Sequence, residues 1–447
     1  MEIKLYEIYH IANKRTGDTS MRKNSTKGFM SLFMVAVTVC SMLCGCAGTN
    51  QNGKNLTEKY AKEVNELTIP DNVRVIGFGE ATHGNADFQE LKTEIFKNLV
   101  EQDKVRTFAL EGPFGEYLTV DDYINGGETT IDEAVEALCF RIYKTETSKE
   151  LLEWMKDYNE KASDEDKLHF YGFDMQNYEG LISYIEDFAG RYTFDNAPST
   201  KDLKSIFEDD SLSFDERKKM AADFKDEVKE AKSGYLNAGA DEIEAEIFVH
   251  AAVVLEQAIN LSEVYSGNNG IAGFTTRDKY MAENVEWISE IEKMRGKEAR
   301  NAIFITGHCG HIAKVPQSSF YPSNMGGNIK EVFGDDYFVI GSDYYTTDCN
   351  MPGNNGRGNH KFKSGDPLAK EANAYTGKRY LLQFSDIEGS DALNNELSHL
   401  KMGTLGESYS IIMRVSTASS RITVDATKAF DAAVFVYSAK PIKLIEK

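Results

Sequence analysis

The sequence lacks several patterns that define common enzyme classes. Only six of its 447 residues are cysteines, and the widely spaced Cys139, Cys309 and Cys349 predict neither a disulfide framework nor a CxxC zinc site. It has no Gly-x-Ser-x-Gly elbow, no Gly-Lys-Ser/Thr phosphate loop and no His-Glu-x-x-His helix. These absences disfavour a serine α/β-hydrolase, a nucleotide site and the commonest metallohydrolases.

Positive charge is also scarce. Lys and Arg number 50 against 71 Asp and Glu, which gives a net charge of -21. Such a chain repels phosphate backbones, so no nucleic-acid partner is expected. With 41% hydrophobic and 27% charged residues, the composition is typical of a globular protein rather than a disordered or multispanning membrane protein.

The N-terminal segment has the features of a bacterial lipoprotein signal. Three basic residues precede an apolar run over residues 29–43, which leads into Leu-Cys-Gly-Cys46. We predict a signal peptide over residues 1–45, with residues 1–20 upstream of the true start, and acylation of Cys46. Residues 46–57 would form a flexible tether, and the protein would be anchored outside the cytoplasmic membrane. An uncleaved signal anchor is the alternative.

The rest of the chain predicts an α/β fold with a mostly parallel central sheet flanked by helices. Short apolar runs, typical of strands buried on both faces, alternate with helical patterns; the runs are Val73–Phe78, Val105–Leu110, Leu168–Phe173, Ala302–Thr306 and Tyr337–Ile340. Further strands, some antiparallel, are predicted at Tyr380–Phe384, Tyr409–Val415, Ile422–Val424 and Ala433–Tyr437. The α/β core would comprise residues 58–185 and 295–447, and residues 186–294 would form an inserted helical subdomain.

Titratable side chains follow four of the predicted strands. Ligands bind beyond the carboxyl ends of the strands in open α/β sheets, so these groups should meet in one cleft. They are Glu80 with His83, Glu111, Asp174, and His308 with His311. A carboxylate three residues before His83 could orient its ring for acid–base work, whereas His169 and His250 are interpreted as structural. The same set, Glu80, His83, Glu111, His308 and His311, could instead bind a divalent metal such as zinc.

These residues lie within motifs that resemble the erythromycin esterase family in the same order. The motifs are Gly79-Glu80-Ala81-Thr82-His83-Gly84, Phe108-Ala109-Leu110-Glu111, Tyr171-Gly172-Phe173-Asp174-Met175-Gln176, Arg277-Asp278 with Met281 and Asn284, Gly307-His308 with Gly310-His311-Ile312, Met325-Gly326 and Phe333-Gly334-Asp335-Asp336-Tyr337. The resemblance spans roughly residues 58–440. It implies hydrolysis of a macrolide lactone by water, without a covalent serine intermediate and without a cofactor, in an α/β fold with a helical subdomain beside a deep cleft.

The resemblance also assigns roles to residues. His83 falls on the family's general base, Glu80 and Glu111 fall on its carboxylates, and His308 and His311 fall on its paired histidines. Lys92 stands where macrolide-active relatives carry arginine, and we expect Lys92 and Asp174 to bind substrate. Cys309 replaces a polar amide between the paired histidines. The alternatives to a small-molecule ester substrate are metal-dependent hydrolysis of another compound by the same cluster and a non-catalytic ligand-binding lipoprotein.

Overall fold

The computed structural model describes residues 55–102, 104–267, 269–296, 302–318, 321–354, 356–416 and 419–445. Its central feature is an eight-stranded sheet with the order β3-β2-β4-β1-β5-β10-β7, and β6 pairs with β5. The strands are β1 Val75–Glu80, β2 Val105–Pro113, β3 His169–Asp174, β4 Ala302–His308, β5 Tyr337–Gly353, β6 Gly356–Lys363, β7 Arg379–Gln383 and β10 Ala432–Ala439. A separate two-stranded sheet contains β8 Leu400–Gly403 and β9 Arg421–Val424.

The sheet is mostly parallel, which confirms the predicted fold class. The pairings β3–β2, β2–β4, β4–β1, β1–β5 and β5–β10 are parallel, whereas β7 and β6 add antiparallel pairings. The helices that cover it are α1 Ala86–Glu101, α2 Phe114–Ile124, α3 Ile131–Ala137, α4 Glu146–Asn159, α5 Glu179–Arg191, α6 Ser205–Glu208, α7 Phe214–Asn237, α8 Glu242–Ser266, α9 Gly270–Met294, α10 Cys309–Ile312, α11 Met325–Phe333, α12 Pro367–Glu371, α13 Asp391–Ser398 and α14 Ala426–Ala429. Single 3₁₀ turns occur at Val64–Glu66, Arg141–Tyr143, Asp164–Asp166, Gly334–Asp336, Ala372–Ala374, Thr376–Lys378, Phe384–Ile387 and Ile411–Arg414.

Alternate residues of each central strand enter different cores. Ile303 and Ile305 of β4 belong to one hydrophobic cluster, and Phe304 between them belongs to the other. This follows from the two-residue period of side chains on a strand. Both faces are therefore covered, which explains why the strands are continuous apolar runs in the sequence.

Helices α5 to α9 lie between β3 and β4, where the sequence predicts the helical insertion. Local signals start them: Ser213 and Glu216 form a capping box at α7, and the Asp241 side chain accepts from the backbone N–H groups of Ile243 and Glu244 at α8. Residues of α7, α8 and α9 share a buried cluster with β3 and β4. Their separation as a subdomain over residues 186–294 stays a prediction.

One helix in the described part of the chain, α8, is long and apolar enough to cross a membrane by length and composition. Its residues Phe248, Leu255 and Ile259 are buried in the core that covers the sheet. Helices of this kind occur inside globular proteins, so α8 is weak evidence for a membrane span. The predicted signal peptide and Cys46 lie outside the described residues, as does most of the tether.

Two details of the strand prediction need correction, and one predicted strand is confirmed outside the main sheet. Residues Tyr409–Val415 do not form a strand, because Ile411–Arg414 is a 3₁₀ turn that leaves Ile411 74% and Val415 84% exposed. Residues Ile422–Val424 are in β9, outside the main sheet. The strands β6 and β8 were not predicted.

Candidate active site

Parallel pairing brings four strand ends to one edge of the sheet. Glu80 at the end of β1 pairs with His308 at the end of β4, and Gly79 pairs with Gly307. Strand β2, which carries Glu111, lies on the other side of β4. A Cβ atom on Gly307 would come within 2.8 Å of Glu111 Oε2, so glycine allows this carboxylate to lie across the end of β4. The predicted convergence therefore has its basis in the strand register.

The first part of the site is a chain of charges from Lys92 through Glu80 to His83. Lys92 Nζ, on α1, donates to Glu80 Oε1 at 2.7 Å, and Glu80 Oε2 lies 3.1 Å from His83 Nδ1. Burial alone would raise the pKa of Glu80, but the Lys92 charge and the His83 hydrogen bond hold it below its usual value. Burial would lower the pKa of His83, but the Glu80 hydrogen bond and the charges of Glu111 and Glu80 raise it. Glu80 thus stays ionised and fixes the His83 ring.

The second part depends on a cation from the helical insertion. Arg277 of α9 donates from Nη2 to Glu111 Oε1 at 2.8 Å and to Asp174 Oδ2 at 2.6 Å. Its Nε also donates to Asp174 Oδ2, at 3.1 Å. Burial would raise the pKa of Glu111, but the charges of His311 and Arg277 hold it well below its ordinary value. A single guanidinium therefore pairs with two buried carboxyl groups and helps to keep Glu111 ionised.

The paired histidines differ in their partners. His308 caps the short helix α10, since its Nδ1 accepts from the Gly310 backbone N–H at 3.1 Å, which leaves the proton on Nε2. Burial and the neighbouring His83 and His311 lower the pKa of His308 to about 3, so its ring is neutral. His311 Nδ1 lies 2.8 Å from Asp278 Oδ1, and its Nε2 lies 3.2 Å from Arg277 Nη1 and 3.4 Å from Glu111 Oε1.

The reactive groups surround one nitrogen. His83 Nε2 lies 3.9 Å from Glu111 Oε2, which is too long for a direct hydrogen bond. The His83 and His308 ring centroids are 5.3 Å apart, and His308 Nε2 is buried with no hydrogen-bond partner in the described structure. The site thus presents a carboxylate-oriented imidazole with a free nitrogen and a neutral imidazole with a free N–H, the two groups that general-base hydrolysis needs.

The structure brings all seven predicted site residues together, but two of them, Lys92 and Asp174, contact other charged groups of the site and hold them in place. Glu80 and Asp174 are fully buried, and Lys92 is 3% exposed. Lys92 holds Glu80, and Asp174 holds Arg277. These contacts position the groups nearer the reacting atoms, and direct contact of Lys92 or Asp174 with substrate stays a prediction.

Cys309 packs against Ser342 of β5 and Gly79 of β1. Its Sγ lies 3.7 Å from the backbone oxygen of Ser342, and a Cβ atom added to Gly79 would come within 2.8 Å of that sulfur. Burial raises the pKa of the Cys309 thiol to about 12, so the thiol is neutral. We interpret Cys309 as a packing residue between β1 and β5.

Sequence reasoning gave no role to two residues of α9 that complete the site. Arg277 binds Glu111 and Asp174, and Asp278 orients His311 while accepting from the Met325 backbone N–H at 2.9 Å. They share a buried face of the helix with Met281. A charged pair on an otherwise apolar helix face was the signal that could have identified them, because buried charges need partners.

The donor set fits a metal poorly. In the described residues, no group of three or more His, Cys, Asp or Glu side chains is arranged to hold an ion. Arg277 and Lys92 already neutralise Glu111 and Glu80, at 2.8 and 2.7 Å. A divalent cation would have to displace these ammonium and guanidinium groups, so the predicted alternative ligands are better suited to ion pairing.

Known proteins share the chain's sequence pattern and fold. The profile described as erythromycin esterase matches residues 100–439. An erythromycin esterase type II from Escherichia coli is 23% identical over 308 residues, which span 62% of this chain and 70% of that protein.

Solved structures show the same fold at low identity. A crystal structure of a Bacillus cereus protein has a TM-score of 0.72 at 20% identity and covers 87% of this chain and 98% of that one. A mutant erythromycin esterase in its open conformation has a TM-score of 0.56 at 16% identity, with coverage of 84% and 93%.

Proposed function

The chain belongs to the erythromycin esterase family, and from that premise we propose that it hydrolyses an ester bond with water activated by His83. One observation carries the proposal. His83 Nδ1 is held by Glu80 at 3.1 Å, while Nε2 lies 3.9 Å from Glu111 and makes no direct hydrogen bond to it. That nitrogen is available to a water molecule.

In the proposed reaction, His83 Nε2 takes a proton as water attacks the carbonyl carbon. Glu111 accepts from the second water hydrogen, and Glu80 stabilises the imidazolium that forms. The carbonyl oxygen becomes an oxyanion, to which His308 donates from Nε2. When the tetrahedral intermediate collapses, the carbon–oxygen bond breaks and the His83 proton passes to the leaving alkoxide. His311, Asp278, Arg277, Asp174 and Lys92 position these groups.

We propose a macrolide lactone such as erythromycin as the substrate. The supporting observation is the likeness to an erythromycin esterase over 62% of the chain. Lys92 in place of arginine keeps the charge beside Glu80 but cannot form a bidentate contact, so the specificity can differ from that of relatives. No cofactor is required by this mechanism, because both proton transfers use His83.

We also propose that acylation of Cys46 anchors the enzyme to the outer face of the cytoplasmic membrane. The support is the basic, apolar and small-residue order of residues 22–46. In cells grown with a labelled fatty acid, the wild-type protein and Cys139→Ala should carry the label and Cys46→Ala should not, as followed by gel electrophoresis of separated membranes. An unlabelled, full-length wild-type protein in the membranes would indicate the uncleaved anchor.

The test of the proposed reaction is mass spectrometry of erythromycin after incubation with the purified protein and a chelator. Wild-type protein should convert the macrolide to a product that has gained one water molecule, and His83→Ala should give none because the base is lost. His399→Ala is the matched control, since His399 is exposed and contacts only Ser398 and Asn395 in the described structure.

Each other result points to a different conclusion. Product that disappears with chelator would indicate a metal-dependent hydrolase. Binding without turnover, measured by calorimetry, would indicate a ligand-binding lipoprotein, and an unchanged rate in His83→Ala would overturn the mechanism.

A further inference from the structure

The side chain of Tyr143 is buried beside the site, yet its hydroxyl has no partner. The residue is 1% exposed, and its Oη makes no hydrogen bond in the described structure. A buried hydroxyl without a partner costs about 1–3 kcal/mol. Such a group requires a functional or structural explanation.

The position of Tyr143 is fixed by its neighbours in the chain. It ends the 3₁₀ turn Arg141–Tyr143, whose Ile142 carbonyl accepts from Gln89 Nε2 at 2.7 Å. Thr145 Oγ1 donates to Gln89 Oε1 at 2.8 Å, so one side chain from α1 holds both flanks of the tyrosine. Hydrogen bonds on both sides of Tyr143 therefore fix the position of its ring, and its own hydroxyl takes no part.

The ring of Tyr143 packs directly against the catalytic groups. It meets the His83 ring edge to face at a centroid distance of 6.2 Å, and Lys92 Nζ lies 4.7 Å from its centroid. Three groups thus lie beside the His83 ring: Glu111, His308 and the Tyr143 phenol. The last two each carry a buried hydrogen-bonding atom without a partner.

The charge environment keeps this phenol protonated. Burial first, and then the charges of Glu80 and Glu111, raise the pKa of Tyr143 well above its ordinary value. A phenol of this kind can donate a hydrogen bond throughout the working pH range but cannot act as a base or nucleophile.

We propose that the Tyr143 hydroxyl donates a second hydrogen bond, alongside His308, to the oxyanion that forms when water adds to the substrate carbonyl. The inference rests on the proposed ester hydrolysis and adds a catalytic residue to it. The carbonyl π electrons move to oxygen as the carbon–oxygen bond to water forms. The phenolic proton stays on Tyr143, and the only proton that moves goes from water to His83 and then to the leaving alkoxide.

The experiment compares Tyr143→Phe with Tyr235→Phe. Tyr235 is a matched control because it is also fully buried with an unpartnered hydroxyl, but it packs among Phe188, Phe194 and Phe248 in the helical insertion. Loss of one oxyanion donor typically lowers kcat by about 10²–10³-fold. We expect that loss for Tyr143→Phe with erythromycin, by the same factor from pH 6 to 9 and with KM unchanged, whereas Tyr235→Phe should keep the wild-type kcat and KM. Tm should not fall in either variant, because each loses an unpartnered buried hydroxyl.

A binding measurement decides the matter without turnover. Phenyl methylphosphonate is a stable anion that resembles the tetrahedral intermediate, and calorimetry should show that Tyr143→Phe binds it at least tenfold more weakly than wild type and Tyr235→Phe. Equal affinity in the two variants, or no phosphonate binding to wild type, would overturn the proposal even if no ester is hydrolysed.

The two proposals fail in different ways. If His83→Ala abolishes hydrolysis while Tyr143→Phe keeps the wild-type kcat, the proposed function stands and the role of Tyr143 is wrong. If wild-type protein hydrolyses no ester but Tyr143→Phe loses phosphonate affinity, the donor role stands and the proposed function is wrong.

Discussion

The protein contains two groups of buried carboxyl groups with opposite charge behaviour. At the catalytic edge, Glu80 and Glu111 lie beside Lys92 and Arg277, and the pKa of each carboxyl group is lowered. Farther along the sheet, Asp343 of β5 and Asp366 before α12 are equally buried, but each has the other carboxyl group as a neighbour. Burial and the neighbouring carboxyl raise the pKa of Asp343 well above its usual value, and burial raises that of Asp366 to about 6.

Burial acts in the same direction in both places, so the partner decides the result. A carboxyl group beside a guanidinium stays ionised in the interior, whereas two carboxyl groups without a cation share a proton. The cations of the catalytic edge come from helices α1 and α9, which are far from the carboxylates in sequence. The charge state of the site is thus a product of the tertiary structure.

The largest effect that we expect follows from removing Arg277. Glu111 and Asp174 would then be buried carboxyl groups without this cation, as Asp343 and Asp366 are. Arg277→Ala would leave Glu111 and Asp174 buried without their shared partner, at a cost of about 3–5 kcal/mol in the free energy of unfolding. Urea denaturation measures this loss. Arg277→Lys should lose less of the free energy of unfolding, because lysine keeps the positive charge although it lacks the planar guanidinium that binds two acceptors.

An exposed ion pair provides the control for Arg277. Lys428 lies 2.8 Å from Asp425 on the surface, and Lys428→Ala should change the free energy of unfolding far less than Arg277→Ala does. If Arg277→Ala were as mild as Lys428→Ala, the argument from uncompensated burial would be wrong.

The contribution of Asp343 and Asp366 to the free energy of unfolding should change with pH in the direction opposite to that of Glu80 and Glu111. The raised pKa of Asp366 means that its stabilisation is complete below its unfolded pKa of 3.8 and is lost as pH rises through about 6. At about 1.4 kcal/mol per pKa unit, the loss is about 3 kcal/mol. Asp343→Asn removes the shared proton, so its free energy of unfolding should fall less than that of wild type between pH 4 and 8.

Glu111→Gln supplies the opposite slope. The lowered pKa of Glu111 gives stability that is present above its unfolded pKa of 4.5 and is lost as pH falls toward its folded pKa. On acidification, the unfolding free energy of wild type minus that of Glu111→Gln should therefore fall. The unfolding free energy of wild type minus that of Asp343→Asn should instead rise, because the buried acidic pair regains its protons. Flat difference curves for both variants would contradict the comparison.

The fold could be predicted where burial imposes a simple pattern. The strands β1 to β4 are nearly continuous apolar runs because both faces are covered, and their predicted starts lie within two residues of the structure. Strand β6 was not predicted, because its residues Gly356–Lys363 are mostly polar and pair only with β5 at the edge of the sheet. The strand predicted at Tyr409–Val415 was wrong because its apolar side chains face solvent.

The site, like the fold, could be predicted from the sequence only where it depends on the buried strands. Glu80, Glu111, Asp174 and His308 follow strands, so parallel pairing alone predicts that they meet. Arg277 and Tyr143 lie on a helix and a turn, and no local pattern states which strand end they reach. Their positions depend on how the insertion and the segment after β2 pack, which is a property of the whole chain.

The smallest predicted effect concerns the charges that border His83. A general base must be neutral, and the pKa of His83 is raised, so the acid limb of kcat/KM should lie above pH 6.5. Glu407 contributes to that rise while paired with Arg357. Glu407→Gln removes one negative charge and leaves Arg357 uncompensated, which should move the limb slightly to lower pH, because Glu407 is the smallest of the causes that raise the pKa of His83.

Arg357→Gln tests the sign of that effect. It removes the positive charge and leaves Glu407 without that partner near His83, so the acid limb should move to higher pH, with the maximal rate of both variants close to that of wild type. Movement of the limb in the same direction in the two variants would show that the pair acts on packing around Gly84, whose carbonyl accepts from Asn350 beside Arg357, rather than on the charge of His83. Opposite movements would show that neighbouring charges oppose the effect of burial on the pKa of His83, as they do for Glu80 and Glu111.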